Sequence, residues 1–318
     1  MPIRLTGVIT VAGLSPSLDI TYLVEQLRLG RIHRPTGVFR IAGGKPLNLA
    51  RAAATMGADV EVVAVLGGST GDWIAAELEA LGIGVRVVKT PDETRTCVSI
   101  ASADRDDLTE VYPYAPAISR PGWEEFRRLT AAAVDDRQGW LAITGSTPQG
   151  LEPENVAELI ELAHAAGQQV AIDTHGPALA AALTARPDLT KINRDEAAGW
   201  LDCDPRQLDL AEATKIIADR TGGSVIITDG RDGAVGREPD GDSFRVRLPD
   251  EVNGRYPVGS GDSFLGGWLA SIDGGSDPTT ALRRATGCGA ANALTPGPAN
   301  LDPETARSIA ERTTLDWS

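Results

Sequence analysis

From residue 119 onward, helical patterns alternate with short apolar runs, and this alternation restricts the possible folds more than any other feature. The apolar runs are residues 140–144, 169–173, 189–193 and 224–228, and the helical patterns between them are residues 122–134, 153–166, 178–183, 196–201 and 210–221. Such βα alternation predicts an α/β fold with a mostly parallel central sheet and helices on both faces. In a sheet of this kind, ligands bind at the carboxyl ends of the strands.

The first third of the chain follows the alternation less closely. A strand at 8–12, a helix at 49–56, a strand at 60–66 and a helix at 72–81 fit it, whereas residues 14–19 are interpreted as a loop. The remaining β-type segments are residues 31–41, 85–88, 94–101 and 108–112. We expect residues 1–318 to form one domain in which strands within about 13–42 and 84–112 make a small β-sheet lid over the site.

Charge and cysteine content exclude several classes of protein. The formal net charge is −14, which disfavours a nucleic-acid partner and requires that any anion site be a local group of amides and arginines. Cys97, Cys203 and Cys288 are far apart and odd in number, so they suggest neither a disulfide framework nor a zinc site. Without an 18-residue apolar run or a signal-peptide profile, we expect a cytoplasmic protein with no membrane partner.

One glycine turn carries the clearest chemistry. Gly259, Ser260 and Gly261 precede Asp262 and an apolar helical run at 264–272. A glycine turn that opens a helix presents free N–H groups at the positive end of the helix dipole, which makes an anion site. A carboxylate beside a bound phosphate suits phosphoryl transfer, with Asp262 accepting the proton of an attacking hydroxyl. The turn alone is equally compatible with Asp262 as an ordinary helix N-cap.

Two common nucleotide motifs are absent from the sequence. Gly44-Lys45 is followed by Pro46, so there is no G-x-x-x-x-G-K-[ST] phosphate loop. No G-x-G-x-x-G opens an early βα turn either, which removes the motif support for a dinucleotide-dependent dehydrogenase.

Two segments together carry a family resemblance. Residues 43–52 resemble the N-terminal signature of the PfkB, or ribokinase-like, carbohydrate kinases, and residues 258–264 are similar to their C-terminal signature. Residues 14–19, 93–96, 145–150, 191–196 and 294–297 resemble the branch of that family that acts on phosphorylated hexoses. The resemblance spans nearly the whole chain. It implies a ribokinase-like three-layer fold and a sugar kinase that uses ATP and Mg²⁺.

The resemblance assigns roles to particular residues. It implies that Asp262 is the catalytic base and that the amides of Gly259, Ser260 and Gly261 stabilise the transferred phosphoryl group. The implied nucleotide and magnesium residues, with Glu196 reaching the metal through water, are Lys191, Asn193, Glu196, Thr228, Gly230, Gly233 and Asn292. The implied sugar and sugar-phosphate residues are Asp19, Arg34, Gly43, Gly44, Lys45, Asn48 and Arg95.

Several of these residues also have a purely structural interpretation. Asn193 and Glu196 match a capping box, and a cap and a phosphate site can share the same amides. Asp19 is compatible with a turn residue, and Lys191 and Arg95 are compatible with surface charges. On the residues alone both interpretations are open at each position.

The sequence departs from the family pattern mainly near the sugar. Pro46 replaces a common glycine, Tyr256-Pro257 replaces a polar pair, and residues 112–115, Tyr-Pro-Tyr-Ala, replace a segment that often reads Asn-Glu-Pro-Gly. We therefore expect an intact catalytic half and an altered substrate half. The expected substrate is fructose 1-phosphate or fructose 6-phosphate, giving fructose 1,6-bisphosphate. The alternatives are tagatose 6-phosphate, an unphosphorylated sugar or nucleoside, or a catalytically idle sugar-phosphate sensor, and we expect a homodimer joined through the lid.

Overall fold

The computed structural model describes residues 7–105 and 107–318. In chain order, the strands are β1 (Val8–Gly13), β2 (Ser17–Val24), β3 (Gly37–Gly43), β4 (Val60–Leu66), β5 (Gly84–Lys89), β6 (Thr96–Ser102), β7 (Leu108–Val111), β8 (Gly139–Thr144), β9 (Gln169–Asp173), β10 (Leu189–Asn193), β11 (Ser224–Thr228), β12 (Ala234–Arg237), β13 (Ser243–Arg247) and β14 (Thr314–Trp317).

The helices include three that begin near the site and seven that cover the sheet or close the chain. They are α1 (Lys45–Thr55), α2 (Gly68–Ala80), α3 (Arg120–Asp136), α4 (Glu154–Ala165), α5 (Gly176–Thr184), α6 (Arg194–Leu201), α7 (Leu210–Thr221), α8 (Ser260–Asp273), α9 (Pro278–Ala293) and α10 (Pro303–Arg312). Among the residues described, no helix is both long and apolar enough to cross a bilayer.

The described strands form one large sheet and one small sheet. The large sheet has the order β14-β13-β12-β11-β10-β9-β8-β1-β4-β5, and the small sheet has the order β3-β2-β6-β7. The strands from β11 to β5 in that order pair in parallel, and β12, β13 and β14 add an antiparallel edge. The prediction of a mostly parallel sheet with a small separate sheet is confirmed.

The central strands are mostly apolar because both of their faces are covered. In β8, Leu141 and Ile143 belong to a core on one face of the sheet, whereas Trp140 and Ala142 belong to a core on the other. Strands with an apolar core on each face cannot show a polar alternation, which explains the continuous apolar runs of the sequence. The helices on each side therefore hold the carboxyl ends of β8–β11 in a fixed row.

Two strand predictions were wrong. Residues 14–19 were expected to be a loop, but Ser17–Val24 is β2, which pairs with both β3 and β6. Residues 85–88 were grouped with the lid, but β5 pairs in parallel with β4 as the edge of the large sheet. In both cases partner strands decide the outcome, since a short β-type run does not by itself specify a sheet. Helix α10 and strand β14 were not predicted.

Helix α8 packs unusually close to its neighbours. A Cβ atom on Gly266 would lie 2.7 Å from the carbonyl oxygen of Leu49 in α1, and one on Gly267 would lie 2.6 Å from Sγ of Cys288 in α9. Both distances are too short for any side chain to fit without movement of the neighbour. The two glycines thus let α8 lie against α1 and α9, and this packing accompanies a direct contact between residues in the first turns of α1 and α8.

Candidate active site

Asp262 lies in the first turn of α8 but does not cap that helix. The N-cap is Gly259, whose φ of 80° lies in the left-handed region that favours glycine, and no side chain caps the helix there. The buried Asp262 carboxylate instead accepts a hydrogen bond on Oδ2 from Nδ2 of Asn48 in α1, at 2.9 Å. Of the two interpretations of Asp262, the structure therefore disfavours the simple N-cap.

A network of four buried or half-buried charges surrounds this carboxylate. Nζ of Lys191 lies 2.5 Å from Oδ2 of Asp173, and Nζ of Lys45 lies 2.8 Å from Oδ1 of the same residue. The Lys45 ammonium also lies 2.7 Å from Oε1 of Glu196. Asp173 thus forms ion pairs with both lysines, and Lys45 forms ion pairs with both Asp173 and Glu196.

Burial is the main influence on the pKa of Asp262. Together with the nearby Asp173 carboxylate, it raises the pKa of Asp262 from 3.8 to about 6, against the opposing effects of Lys45, Lys191 and the Asn48 amide. Asp262 is therefore a carboxylate at neutral pH and more basic than a solvent-exposed aspartate. Those are suitable properties for a group that accepts a proton from a hydroxyl.

Asp173 has the opposite shift although it is just as buried. Burial alone would raise its pKa, but the two lysine ammonium groups lower the pKa of Asp173 to about 2. For Lys45, burial lowers the pKa, but Asp173 and Glu196 outweigh it and raise the pKa above its ordinary value. Lys45 thus remains charged at neutral pH alongside Asp173, a residue that no motif marked in the sequence.

The ammonium group of Lys191 lies at the positive end of α8. A Cβ atom on Gly261 would be only 2.7 Å from Nζ of Lys191, so this cation lies directly beside the glycine turn. The helix N-terminus and the ammonium are both positive; Asp173 offsets the charge of the lysine, and the free amides of the turn remain able to bind an anion. The turn of Gly259, Ser260 and Gly261 together with Lys191 is thus arranged for a phosphate.

The capping box at the start of α6 is present. The Asn193 side-chain oxygen accepts from the Glu196 amide at 2.8 Å, and Oε2 of Glu196 accepts from the Asn193 amide at 2.9 Å. Oε1 of Glu196 is left to face Lys45. The cap therefore fixes the Glu196 carboxylate next to the charge network, so the structural role does not remove it from the site.

The site residues lie at the carboxyl ends of neighbouring strands, as the sheet predicted. Thr144 is paired in register with Asp173, and Asn193 is paired with Thr228, each at the last position of its strand. Because parallel strands end at the same edge, the sheet brings together residues that are far apart in the chain. Asp173, Asn193 and Thr228 thus belong to one edge of the sheet.

A cavity of about 250 Å³ opens beside the glycine turn. Its lining includes Thr228, Gly230 and Gly233 on one side and Ser260 and Gly261 on the other. Much of the remaining wall is apolar and comes from α8, α9 and the segment after β13, for which the residues are Leu248, Val252, Phe264, Ala290 and Ala293. A flat apolar group with a polyphosphate tail reaching the turn would suit this shape.

Asn292 is buried in α9 and supports the glycine turn from behind. Its Nδ2 donates to the carbonyl oxygen of Val258 and to Oγ of Ser260, both at 2.9 Å, and its Oδ1 accepts from the Ala299 amide at 2.7 Å. Asn292 is not among the residues lining the cavity. The observed contacts give it a positioning role, and direct nucleotide binding by Asn292 stays a prediction.

On the other side of Asp262, the small sheet and the start of α1 hold Asp19. Oδ1 of Asp19 accepts from Oγ of Ser17 at 2.6 Å, and Oδ2 accepts from the Gly44 amide at 3.1 Å. A Cβ atom on Gly43 would lie 2.2 Å from Oδ2 of Asp19, so the carboxylate needs glycine there. Burial raises the pKa of Asp19, although these hydrogen bonds and two arginines oppose the rise. Asp19 is a strand residue in a fixed position, not a turn residue.

The arginines expected to bind the sugar phosphate are placed differently from one another. Arg95 donates from Nη2 to the Ser15 carbonyl oxygen at 2.9 Å and from Nη1 to the Pro113 carbonyl oxygen at 3.0 Å, so it joins two loops at the small sheet. Arg34 is exposed in the segment between β2 and β3, and within the described chain its guanidinium makes no hydrogen bond or ion pair. The structure does not bring Arg34 into the charge network.

The substituted segment after β7 takes part in a hydrogen-bonded chain on the small sheet. The Tyr112 hydroxyl lies 2.9 Å from Oγ of Ser99 and donates to Oε1 of Glu110 at 2.6 Å. Burial and the bond to Glu110 raise the pKa of Tyr112. Since β6 pairs with β2 at Asp19 and Cys97, this polar chain lies on the same sheet as Asp19. From the sequence, this segment was recognised only as a departure from the family pattern.

Comparison with known proteins gives one family match and several relatives. The model of the pfkB family carbohydrate kinases matches residues 9–305. A tagatose-6-phosphate kinase from Staphylococcus epidermidis is 29% identical over 287 residues, covering 88% of this chain and 90% of the relative.

Two solved structures share the fold over nearly the full length. Phosphofructokinase-2 from Escherichia coli in complex with potassium has a TM-score of 0.87 at 24% identity, covering 96% of this chain and 99% of the other. A possible 1-phosphofructokinase from Thermotoga maritima has a TM-score of 0.86 at 17% identity, covering 98% and 99%. At these identities the two structures establish the ribokinase-like fold alone.

Proposed function

This chain belongs to the pfkB family of carbohydrate kinases, and we propose that it transfers the γ-phosphoryl group of ATP to a hydroxyl of a phosphorylated hexose. The observation that carries the proposal is the position of Asp262. It is a buried carboxylate held by Asn48, in the first turn of the helix whose glycine turn borders the cavity, and Asn48 lies on the helix that begins beside Asp19. A proton acceptor between a phosphate site and a polyol-binding carboxylate is what phosphoryl transfer to a sugar hydroxyl requires.

In this mechanism each group of the site has one task. Asp19 and Asn48 hold the sugar hydroxyls, and Asp262 accepts the proton of the attacking hydroxyl as its oxygen bonds to phosphorus. The amides of Gly259, Ser260 and Gly261 and the Lys191 ammonium stabilise the charge on the transferred phosphoryl oxygens. Because phosphoryl transfer has a loose transition state, a carboxylate with a pKa of about 6 is basic enough at neutral pH.

The charge network contains two carboxylates, the kind of oxygen ligand that Mg²⁺ prefers. Asp173 and Glu196 both contact the Lys45 ammonium, so two carboxylates already hold one positive charge between them. Oxygen ligands of this kind, with water completing the shell, are typical of Mg²⁺ sites. We propose that Asp173 and Glu196, the latter through water, hold the Mg²⁺ that neutralises the phosphate charge of ATP.

The proposed substrate class rests on the relatives and on Arg95. The relatives are a tagatose-6-phosphate kinase and two proteins named as phosphofructokinases, which supports a phosphorylated hexose, either fructose 1-phosphate, fructose 6-phosphate or tagatose 6-phosphate. Arg95 has N–H groups beyond the three that meet carbonyl oxygens, and a guanidinium binds phosphate well. The second candidate is an unphosphorylated sugar, which the hydroxyl-rich chain of Ser99 and Tyr112 favours.

A coupled assay of ADP release tests the proposal directly. The purified protein is supplied with ATP and Mg²⁺ and with fructose 1-phosphate, fructose 6-phosphate, tagatose 6-phosphate, fructose or ribose, and Asp262→Asn serves as the inactive control. We expect the highest kcat/KM with one of the three sugar phosphates. A higher kcat/KM with fructose or ribose would show that the substrate is an unphosphorylated sugar. If no sugar gives ADP, the result would favour a catalytically idle sugar-phosphate sensor.

We propose further that residues 1–318 act as one catalytic domain that pairs through its lid as a cytoplasmic homodimer. The two outer strands of the small sheet expose Val38 on β3 and Val111 on β7, at 48% and 61% exposure. Exposed apolar edge strands invite pairing with another chain. Sedimentation should give a dimer for the wild type and a monomer for Val38→Lys with Val111→Lys, and a wild-type monomer at micromolar concentration would contradict the dimer.

A further inference from the structure

A second cavity lies on the far part of the helical layer, away from the charge network. Its volume is about 450 Å³, and it lies between α9, α10 and the C-terminal end of α1. The lining residues are Met56, Thr280, Arg283, Arg284, Arg307, Ala310 and Glu311. Three arginines and one glutamate leave the lining with a positive balance, in a chain whose formal net charge is −14.

None of these three arginines has an ion-pair partner among the described residues. Across the described residues, neither Arg283 nor Arg307 makes a side-chain hydrogen bond or an ion pair. Arg284 donates from Nη1 only to Oγ of Ser276, at 3.0 Å. By contrast, the next arginine along α10, Arg312, is paired with Glu251. Three arginines that meet at one cavity without a carboxylate partner of their own make a local positive site for an external anion.

Arg283 adds an independent observation. Its Nε is shielded from solvent and has no acceptor among the described residues. A buried N–H of a charged group is costly to leave without an acceptor, and native structures rarely do so. An acceptor for this N–H must therefore come from outside the described residues, and a bound anion can supply it once the Arg283 side chain turns toward the cavity.

We propose that this cavity binds a small phosphorylated anion, through the guanidinium groups of Arg283, Arg284 and Arg307. Planar guanidinium groups form paired hydrogen bonds with phosphate oxygens, and Thr280 adds a hydroxyl at the same wall. Three guanidinium charges against the one carboxylate, Glu311, leave a balance of +2 at the wall, which favours a ligand with two or more negative charges over a monoanion.

The cavity is distinct from the active site but is built on shared helices. Arg283 and Arg284 lie in the first half of α9, whereas Thr286, Gly289 and Ala290 of the same helix line the cavity beside the glycine turn. Met56 follows α1, the helix that begins at Lys45 and carries Asn48. Binding at this second site therefore needs neither a catalytic residue nor the proposed reaction.

Isothermal titration calorimetry with pyrophosphate as the probe tests the site. The wild type, the double variant Arg283→Gln with Arg307→Gln, and Arg312→Gln are titrated without metal ions. Because Arg312 lies on α10 outside this cavity, its variant is a control for loss of a positive charge, together with the ion pair to Glu251, elsewhere on that helix. We expect the double variant to bind one equivalent of pyrophosphate fewer than the wild type, or to bind it at least about tenfold more weakly. The control should match the wild type.

Two outcomes would overturn the proposal. One is unchanged pyrophosphate binding in the double variant, which would place any binding at the active site. The other is equal weakening in the double variant and in Arg312→Gln, which would indicate a general charge effect. If the double variant fails to fold, the exposed single variant Arg307→Gln gives the same test, and sodium chloride at matched ionic strength controls for screening.

Discussion

The two sides of Asp262 are organised in contrasting ways. On the nucleotide side, three ion pairs of 2.5–2.8 Å link Lys45, Lys191, Asp173 and Glu196 into one network. On the sugar side, only Asp19 is held as firmly, while Arg95 is engaged with carbonyl oxygens and Arg34 is exposed. The difference indicates that the charged groups of the nucleotide side hold one another in place, whereas most charged groups of the sugar side are held by backbone oxygens or by none.

The largest expected effect is at the point where the two sides meet. Asp262→Asn keeps the shape and the hydrogen bond from Asn48 but removes the proton acceptor. We expect kcat to fall by roughly 10²–10⁴-fold, with little change in KM for either substrate. Steady-state kinetics of the purified variant measure this, and near-normal turnover would mean that another group accepts the proton.

The same residue gives a pH dependence with a definite sign. Its pKa of about 6 predicts that wild-type kcat falls as the pH drops through about 6, because the protonated carboxyl cannot accept a proton. The raised pKa also affects stability. Protonation of Asp262 stabilises the folded state fully below pH 3.8, the ordinary pKa, and this stabilisation is lost as the pH rises through about 6. Asp262→Asn should therefore melt higher than the wild type near neutral pH and equally in acid.

Asp173→Asn disrupts the ion-pair network on the nucleotide side and leaves the residues of the sugar side unchanged. Removing one partner of a buried ion pair typically costs about 3–5 kcal/mol in stability, and here two lysines lose their shared carboxylate. Because the Asp173 charge helps to raise the pKa of Asp262, the acid limb of the kcat profile should also move below pH 6. Thermal melts and pH profiles report the two effects separately. An unmoved acid limb would show that the limb belongs to another group.

Arg95→Ala examines the sugar side. If Arg95 binds the substrate phosphate, its loss should remove about 1.5–3 kcal/mol, the usual worth of a hydrogen bond to a charged group. That corresponds to a fall of roughly 10–150-fold in kcat/KM for the sugar phosphate, with scarcely any change for free fructose. An equal loss for both sugars would instead show that Arg95 acts only by joining the loops of Ser15 and Pro113.

Tyr112→Phe should give the smallest effect. It removes the hydroxyl that bonds to Ser99 and Glu110 and leaves the ring in place. A neutral hydrogen bond is worth about 0.5–1.5 kcal/mol, so KM for the sugar should change by roughly 2–12-fold. KM for ATP is the internal control, because Tyr112 is not part of the nucleotide cavity. A change confined to the KM for ATP would contradict the proposed division of the site.

The sequence was informative where a local pattern determines the structure. The glycine turn before Asp262 and the capping box of Asn193 and Glu196 are both local, and both are present. Asp173 was missed because it is a single acid at the end of an apolar strand, and its partners Lys45 and Lys191 are far from it in the chain. Strand β2 was missed because its pairing with β3 and β6 is a tertiary contact.

The close packing at Gly266 and Gly267 has a mechanical consequence. Because α8 packs closely against α1 and α9, Asp262 and Asn48 belong to one rigid unit of three helices. Any movement of α8 relative to α1 would break the hydrogen bond between Asn48 and Asp262. We therefore expect that the small sheet is the part that moves when the enzyme opens and closes. The turnover rate would then depend on a hinge in the loops that join the small sheet to these helices, near Ser15 and Pro113. The catalytic residues themselves would stay in place throughout the reaction.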